Sequence, residues 1–411
     1  MTGQRISLLT ILGWRNLWRH PQRTFVILLA IILGVWFMII SASIMIGIVE
    51  QQLKDTIFNL TGHAQVHHEK FRDDPAIEHS MSAPSKELLA VLNSSEVTKW
   101  SSRIRLPAVV TSERESRGVT LLGIDPIREQ GLSFIGSPVV AGRALESMDD
   151  NGIIIGRRMA AKLETRVGKR IVIMMQDKNN EVADRGFRVV GLYQAELEAT
   201  ELAYVFVGLN TAQKLLNMGN EISEISLLTD SRKDLEPLVT KLRIAAPLLE
   251  SMSWQKLEPL VVTAMEFYEA FMVYWYLIIF AAMGIGLINT MLMAVFERTR
   301  EIGLLQALGM RPRYIVGQVM METLILLVIG IVIGNLLGWF TTDVILANGI
   351  DLSAFAKGTE QFNMSSTMML TLRADDLVQI NIIVILLGLL ASLYPAVKAA
   401  RYIPVEAITR T

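Results

Sequence analysis

Four long apolar stretches interrupt the chain, and each is long enough to cross a lipid bilayer as a helix. They cover residues 25–49, 270–296, 313–340 and 377–397. About 20 consecutive apolar residues span the hydrocarbon core of a membrane, so the pattern predicts four transmembrane helices. The first stretch is too long for the apolar region of a secretory signal peptide, and we therefore expect it to be retained as an anchor.

Residues 50–269, between the first two apolar stretches, show a different pattern of short strands and short helices. Enrichment in β-branched and apolar residues predicts strands at 63–67, 103–110, 119–124, 153–155, 170–175, 187–193, 204–207 and 222–228. Helices are predicted at 86–92, 157–164, 211–217 and 235–245, and a polar hairpin tip at Asp177–Gly186. The predicted fold class is an α-helical membrane protein with four transmembrane helices and a large extracytoplasmic α+β domain, in two lobes, inserted between helices 1 and 2.

The distribution of Lys and Arg orients these segments, because cytoplasmic loops carry an excess of both. Residues 1–24 contain four arginines and no acid, and basic residues also occur in the segment 297–312 and the tail 398–411. The loop 341–376 is acidic instead. We expect both termini to be cytoplasmic and the loop 341–376 to lie outside with the large domain. The first 24 residues fit either an amphipathic helix at the interface or a simple positive flank.

The amino-acid composition of the chain excludes several classes of function. Of the 411 residues, 51% are hydrophobic and 19% are charged, whereas soluble domains carry about 25% charged residues. The net charge of −1 argues against a nucleic-acid binder with a broad basic surface. The absence of cysteine excludes disulfides and thiolate chemistry on this chain.

Candidate catalytic and metal sites are weak. No stretch matches a phosphate-binding loop, so we expect this chain to hold no nucleotide and not to be an enzyme. His63 and His67 share one face of a predicted strand while His68 points away, so we expect surface or edge histidines rather than a metal site. No cofactor is expected to bind this chain.

The segment between the second and third spans predicts a short helix that ends at Gly309, with Pro312 preventing its continuation. Pairs spaced i,i+3, Glu297 with Arg300 and Arg298 with Glu301, are expected to stabilise it. An apolar edge makes it either a docking helix for a partner or a solvated connector. The candidate site residues are Glu297, Arg298, Arg300, Glu301, Ile302, Leu305, Leu308 and Gly309.

The third span contains glycines at intervals of four residues and one acid. Gly330, Gly334 and Gly338 form one stripe, where a neighbouring helix can approach closely. The neighbour is either a helix of the same chain or a helix of a second subunit. For Glu322, a structural role is favoured over a role in transport, since an ionised group inside a membrane is costly.

Several sequence segments together resemble a known family. They are Glu297 to Gly309, the tail segments Pro395–Arg401 and Pro404–Ile408, and the outer segments Gly62–His67, Leu122–Pro126 and Ile155–Ala160. With the order of one span, a large domain and three spans, they resemble the FtsX-type permease family of ABC transporters. The resemblance is to its lipoprotein-releasing (LolC/LolE-like) branch and to the membrane part of MacB-type exporters.

This resemblance implies a permease subunit of the bacterial inner membrane with a periplasmic domain. It would pair with a second permease, identical or homologous, and with two ABC ATPase subunits that bind ATP and Mg. The helix 297–308 would be the coupling helix that docks into the ATPase. ATP hydrolysis would then move the periplasmic domain and extract a lipoprotein or another amphiphilic cargo from the membrane lipid.

The resemblance also implies a cargo cavity between the first and second spans of the paired permeases. The residues matched by position are Val35, Met38, Met45, Phe271, Tyr274 and Leu277. The loop Asp177–Gly186 is short for the hook that docks a periplasmic chaperone in this branch.

Two other functions remain as alternatives to lipoprotein release. One is an efflux permease for a drug, peptide or toxin with a periplasmic adaptor, and the other is a sensor that signals through the short helix.

Overall fold

The computed structural model describes residues 14–15, 17–19, 21–134, 139–195, 198–230, 234–351 and 367–401. The chain forms two compact units. Of the described residues, the first contains 14–50, Met265–Asp351 and 367–401, and the second contains Gln51–Ala264.

The helices in chain order are α1 Pro21–Thr56, α2 Lys86–Leu92, α3 Arg157–Lys162, α4 Glu198–Ala203, α5 Leu209–Leu215, α6 Glu236–Ala245, α7 Trp254–Leu257, α8 Pro259–Glu297, α9 Thr299–Ala307, α10 Pro312–Trp339 and α11 Ala374–Ala400. The strands are β1 Ala64–His67, β2 Val97–Thr111, β3 Ser116–Ile124, β4 Val139–Gly142, β5 Gly152–Gly156, β6 Arg170–Gln176, β7 Val182–Tyr193, β8 Tyr204–Gly208, β9 Glu224–Thr229, β10 Glu250–Ser253, β11 Ile350–Asp351 and β12 Thr367–Met368. π-helical turns at Ile57–Thr61 and Phe340–Ile345 follow α1 and α10.

Four helices within the described residues are long and apolar enough to cross a membrane: α1, α8, α10 with its π-helical turn, and α11. With 36 and 39 residues, α1 and α8 are longer than the apolar stretches that predicted them. The extensions, residues 50–56 and 259–269, contain no glycine, and their only proline occupies the first position of α8, where its fixed φ suits a helix start. The ends of these helices therefore lie beyond the ends of the hydrophobic pattern.

The second unit is built on a ten-stranded sheet with the order β10-β1-β9-β2-β3-β8-β5-β7-β4, and β6 pairs with β2 and β7. All eight predicted strands and all four predicted short helices are present, with ends shifted by a few residues. Short elements such as β4, β10, α4 and α7 were not predicted. Each has only four to six residues, too few to show a clear hydrophobic period.

The 15-residue β2 pairs with β9, β3 and β6 and so joins all strands of this unit into one sheet. The structure corrects one detail of this unit. The hairpin tip is residues 177–181 rather than 177–186, since β7 already begins at Val182. Within this turn Asp177 accepts hydrogen bonds from Asn217 Nδ2 and from the backbone N–H groups of residues 179 and 181. The bond from Asn217 is the main reason that the pKa of Asp177 is lowered.

A buried arginine ties the chain segment after α1 to this sheet. Arg103 on β2 is fully buried and donates from Nε to both carboxylate oxygens of Glu129, at 3.1 and 3.2 Å. Its Nη1 donates to the carbonyl oxygen of Leu60, which also accepts from Gln65. Burial opposes the charge of Arg103, but the carboxylates of Glu129 and Glu224 outweigh it and raise its pKa. A buried charge needs such partners, so this cluster holds the π-helical turn against the sheet.

Three predicted features fall partly or wholly outside the described residues. These are most of the N-terminal segment 1–24, the residues 352–366 of the loop 341–376, and the tail motif 404–408.

Candidate functional site

The short helix α9 is flanked at both ends by residues whose backbone conformation interrupts a helix. Arg298, between α8 and α9, has φ −102° and ψ 13°. At the other end Gly309 has φ +92° and donates its N–H to the carbonyl of Gln306 at 2.9 Å, while Met310 donates to Leu305 at 3.0 Å. These two bonds form a Schellman cap, for which glycine is the favoured residue. Pro312 then starts α10, so the predicted end of the helix is confirmed.

Long-range ion pairs anchor α9 and its flanks to neighbouring helices of the first unit. Arg298 pairs with Glu322 of α10 at 3.1 Å. Glu297 pairs with Arg23 of α1 at 2.9 Å. Glu301 pairs with Arg19, which precedes α1 in the chain, at 2.8 Å.

The expected pairs Glu297 with Arg300 and Arg298 with Glu301 are therefore wrong. Glu297 and Arg298 instead pair with residues of α1 and α10, and Glu301 pairs with a residue that precedes α1. The break at Arg298 interrupts the regular i,i+3 spacing on which the expectation depended.

Glu322 lies inside α10 with 6% of its surface exposed. Both of its carboxylate oxygens accept hydrogen bonds from Arg298 Nη1, at 3.1 and 3.2 Å. A buried acid of a membrane helix is tolerated when it is paired in this way. The geometry agrees with the expected structural role of Glu322.

The candidate residues of α9 separate into a buried and an exposed face. Ile302 is buried, and Leu305 is half-buried. Arg300, Glu301 and Gly309 are exposed, and Leu308 exposes 78% of its surface. The exposed face thus carries both charges and an apolar side chain.

Sequence reasoning missed Leu304, which exposes 55% of its surface. It lies one helical turn from Arg300 and from Leu308, and this i,i+4 spacing was the available signal. Next to this face is an open hollow of about 430 Å³, lined by Leu305, Leu308, Gly309, Met310, Arg311 and Tyr314. The exposed leucines and the hollow together offer a partner protein an apolar contact surface.

The glycine stripe of α10 packs against α1 of the same chain. A Cβ atom added to Gly334 would lie 2.8 Å from Val35 Cβ, and one added to Gly338 would lie 2.7 Å from Ile39 Cγ2. Gly330 faces Ile31 at a still shorter distance. Of the two alternatives left open by the sequence, the structure shows close packing within the chain.

The six residues matched to a cargo cavity occupy different environments. Val35 and Met38 are buried in the helix core of the first unit. Met45 lines a cavity between α1, α8 and α11. The other three are exposed on α8: Phe271, Tyr274 and Leu277. This chain by itself does not bring the six side chains together.

Two family models match the chain. One describes an FtsX-like permease C-terminal region and matches residues 273–404. The other describes a MacB-like periplasmic core domain and matches residues 24–245.

Curated relatives cover most of the chain at low identity. The chain is 23% identical over 406 residues to the lipoprotein-releasing system transmembrane protein LolC of Neisseria meningitidis serogroup B, covering 94% of this chain and 93% of the relative. It is 21% identical over 423 residues to the corresponding protein LolE of Haemophilus influenzae, covering 97% and 98%.

Other similarities are confined to parts of the chain. The macrolide export ATP-binding/permease protein MacB of Nitrobacter winogradskyi is 35% identical over 127 residues, which are 31% of this chain and 17% of that protein. A crystal structure of the periplasmic region of MacB from Actinobacillus actinomycetemcomitans covers 51% of this chain and 98% of its own, with 13% identity and a TM-score of 0.36.

Proposed function

We propose a function from the premise that this chain belongs to the FtsX/MacB family of ABC transporter permeases, as a multi-pass inner-membrane protein with a periplasmic domain. The proposal is that it uses ATP hydrolysis by a separate ATPase subunit to release lipoproteins from the inner membrane. The relatives LolC and LolE, which align along almost the whole chain, support this cargo class. Both termini and α9 would then be cytoplasmic, as the distribution of basic residues indicates.

The observation that carries the proposal is the construction of α9. Its outward face presents Leu304 and Leu308 to solvent, while the ion pairs of the preceding residues Glu297 and Arg298 hold its N-terminal end to α1 and α10. Apolar side chains exposed on a short, firmly held helix are typical of a docking surface. We propose that an ABC ATPase binds this face, and that α9 acts as the coupling helix between the ATPase and the spans.

The ion pairs give a physical route for the coupling. A push on α9 is passed to α1 through the pair of Glu297 with Arg23, and to α10 through the pair of Arg298 with Glu322. The chain enters the second unit from α1 and returns to the first unit through α8. The proposed result is that nucleotide-driven motion reaches the periplasmic domain and displaces cargo there, with a second permease completing the complex.

The docking proposal is tested by co-purification of the ATPase with a double variant, Leu304→Ala with Leu308→Ala. Loss of most of the bound ATPase is expected, since central apolar contacts dominate binding energy. Leu248→Ala, a matched change at an exposed leucine of the second unit, should leave binding of the ATPase unchanged. Full ATPase recovery with the double variant would contradict the docking role of α9.

The cargo proposal is tested by reconstituting the complete complex in proteoliposomes that contain a radiolabelled lipoprotein. Addition of ATP is expected to release lipoprotein, and a non-hydrolysable analogue is not. Failure to release any of several lipoproteins, with ATPase activity intact, would refute this cargo class.

Efflux of a drug, peptide or toxin is the second candidate function. The 35% identity to MacB over 127 residues supports it. It predicts binding to a periplasmic adaptor protein, and ATP-dependent transport of such a compound without lipoprotein release.

A further inference from the structure

A cavity of about 550 Å³ lies in the first unit between α1, α8 and α11. One side of it is apolar and contains three methionines, Met45, Met265 and Met272. Methionine side chains are flexible and adapt to ligands of different shape. This side of the cavity is suited to a hydrocarbon chain.

The other side of the cavity is negatively charged. α1 contributes Glu50, α8 contributes Glu269, and the first turn of α11 contributes Asp375 and Asp376, while Arg373 is the one cation among the lining residues. Arg373 donates to Asp376 at 2.9 Å. Neither Glu269 nor Asp375 makes an ion pair or a hydrogen bond with any described residue. The wall therefore carries carboxylates whose charge is not matched by an equal number of cations within the cavity.

A third observation is the hydroxyl group of Tyr276. This side chain lines the cavity and belongs to a residue that is only 4% exposed. Its hydroxyl oxygen forms no hydrogen bond with the described part of the chain and remains accessible from the cavity. A ligand that donates a hydrogen bond here would satisfy the hydroxyl oxygen.

We propose that this cavity binds an amphiphile with a protonated amine next to a hydrocarbon chain. The ammonium group lies between Glu269 and Asp375 and donates to the Tyr276 hydroxyl oxygen, while the hydrocarbon contacts the methionines. This inference rests on the proposed function, because in both cases the chain binds an amphiphile of the membrane. The same chemistry occurs in an aminophospholipid headgroup and at the amino terminus of a lipid-modified peptide.

Equilibrium dialysis with the purified full chain in a neutral detergent tests the proposal. The first pair of probes is lysophosphatidylethanolamine and lysophosphatidylglycerol with the same acyl chain. The second pair is an S-acylated dipeptide with a free α-amine and its N-acetylated form. In at least one pair, the amine should bind at least about tenfold more tightly than its partner, as expected for a charge-assisted hydrogen bond. The pair that shows this preference identifies the source of the amine.

Two variants, Glu269→Gln and Asp375→Asn, should each abolish most of the amine preference, and Glu269→Asp should restore it for the first position. Asp343→Asn is the matched control, because Asp343 is an exposed carboxylate of the turn after α10 that does not line the cavity. Equal binding of both members of each pair, or a preference that survives Glu269→Gln and Asp375→Asn, would overturn the proposal. The assay contains no ATPase, so its failure is distinct from failure of the docking or release experiments.

Discussion

Replacing Glu322 with leucine removes the carboxylate that neutralises Arg298 and keeps a side chain suited to a buried position. The two groups are 3.1 Å apart and both are buried. At an effective dielectric constant of about 20, unit charges about 4 Å apart attract by roughly 4 kcal/mol. Removing one member of a buried pair costs about 3–5 kcal/mol, because the other charge remains buried without compensation. We expect Glu322→Leu to lower the free energy of unfolding by an amount in this range.

Denaturant unfolding of the full chain in detergent measures this change. The double variant Arg298→Met with Glu322→Leu removes both charges and should recover most of the lost stability. Glu301→Leu is the matched control, because its pair with Arg19 is solvent-exposed and such pairs contribute at most about 1 kcal/mol. If the double variant is as unstable as Glu322→Leu, the loss comes from packing and the argument from an unpaired arginine is refuted.

Three further predictions follow from the packing and charges of the two units. Gly338→Val should destabilise the helix bundle by about 1–3 kcal/mol through overpacking. The control Gly286→Ala should be neutral or stabilising, because a Cβ atom at this position meets no other atom within 4 Å. Thermal unfolding in detergent compares the two variants. Arg103→Met should lower stability by about 3–5 kcal/mol, because it leaves the buried carboxylate of Glu129 without its cation, and a denaturant midpoint that stays at the wild-type value would contradict this. The lowered pKa of Asp177 means that its ionised form stabilises the fold above the unfolded pKa of about 3.9. This contribution is lost as the pH falls through the folded pKa, so unfolding curves of Asp177→Asn should depend less on pH in that acidic range, and an unchanged pH profile would argue against it.

Local signals in the sequence predicted a large part of the fold. The four membrane helices follow from long apolar stretches, and most strands of the second unit follow from short β-branched segments. The end of α9 followed from Gly309 and Pro312 alone. Each of these signals is contained in a window of a few to about 25 residues, so no knowledge of distant segments was needed.

The candidate site was only partly predictable. The position of α9 was correct, but Leu304 was missed, although its i,i+4 spacing from Arg300 and Leu308 already indicated that it shares their face of the helix. The ion-pair partners were wrong because the paired residues are distant in the sequence. Arg298 and Glu322 are 24 residues apart, and Arg23 and Glu297 are 274 residues apart, so local spacing contains no information about either pair.

By itself the sequence therefore determined the four membrane helices, most of the strands and short helices of the second unit, where α9 ends, and which family the chain resembles. Only the tertiary structure decided which helices lie side by side, and hence that the glycine stripe packs on α1 and that Glu322 neutralises Arg298. It also brought Glu269 and Asp375 together around a cavity. The physical reason is that secondary structure depends on neighbours along the chain, whereas packing and charge pairing depend on residues that become neighbours only after folding.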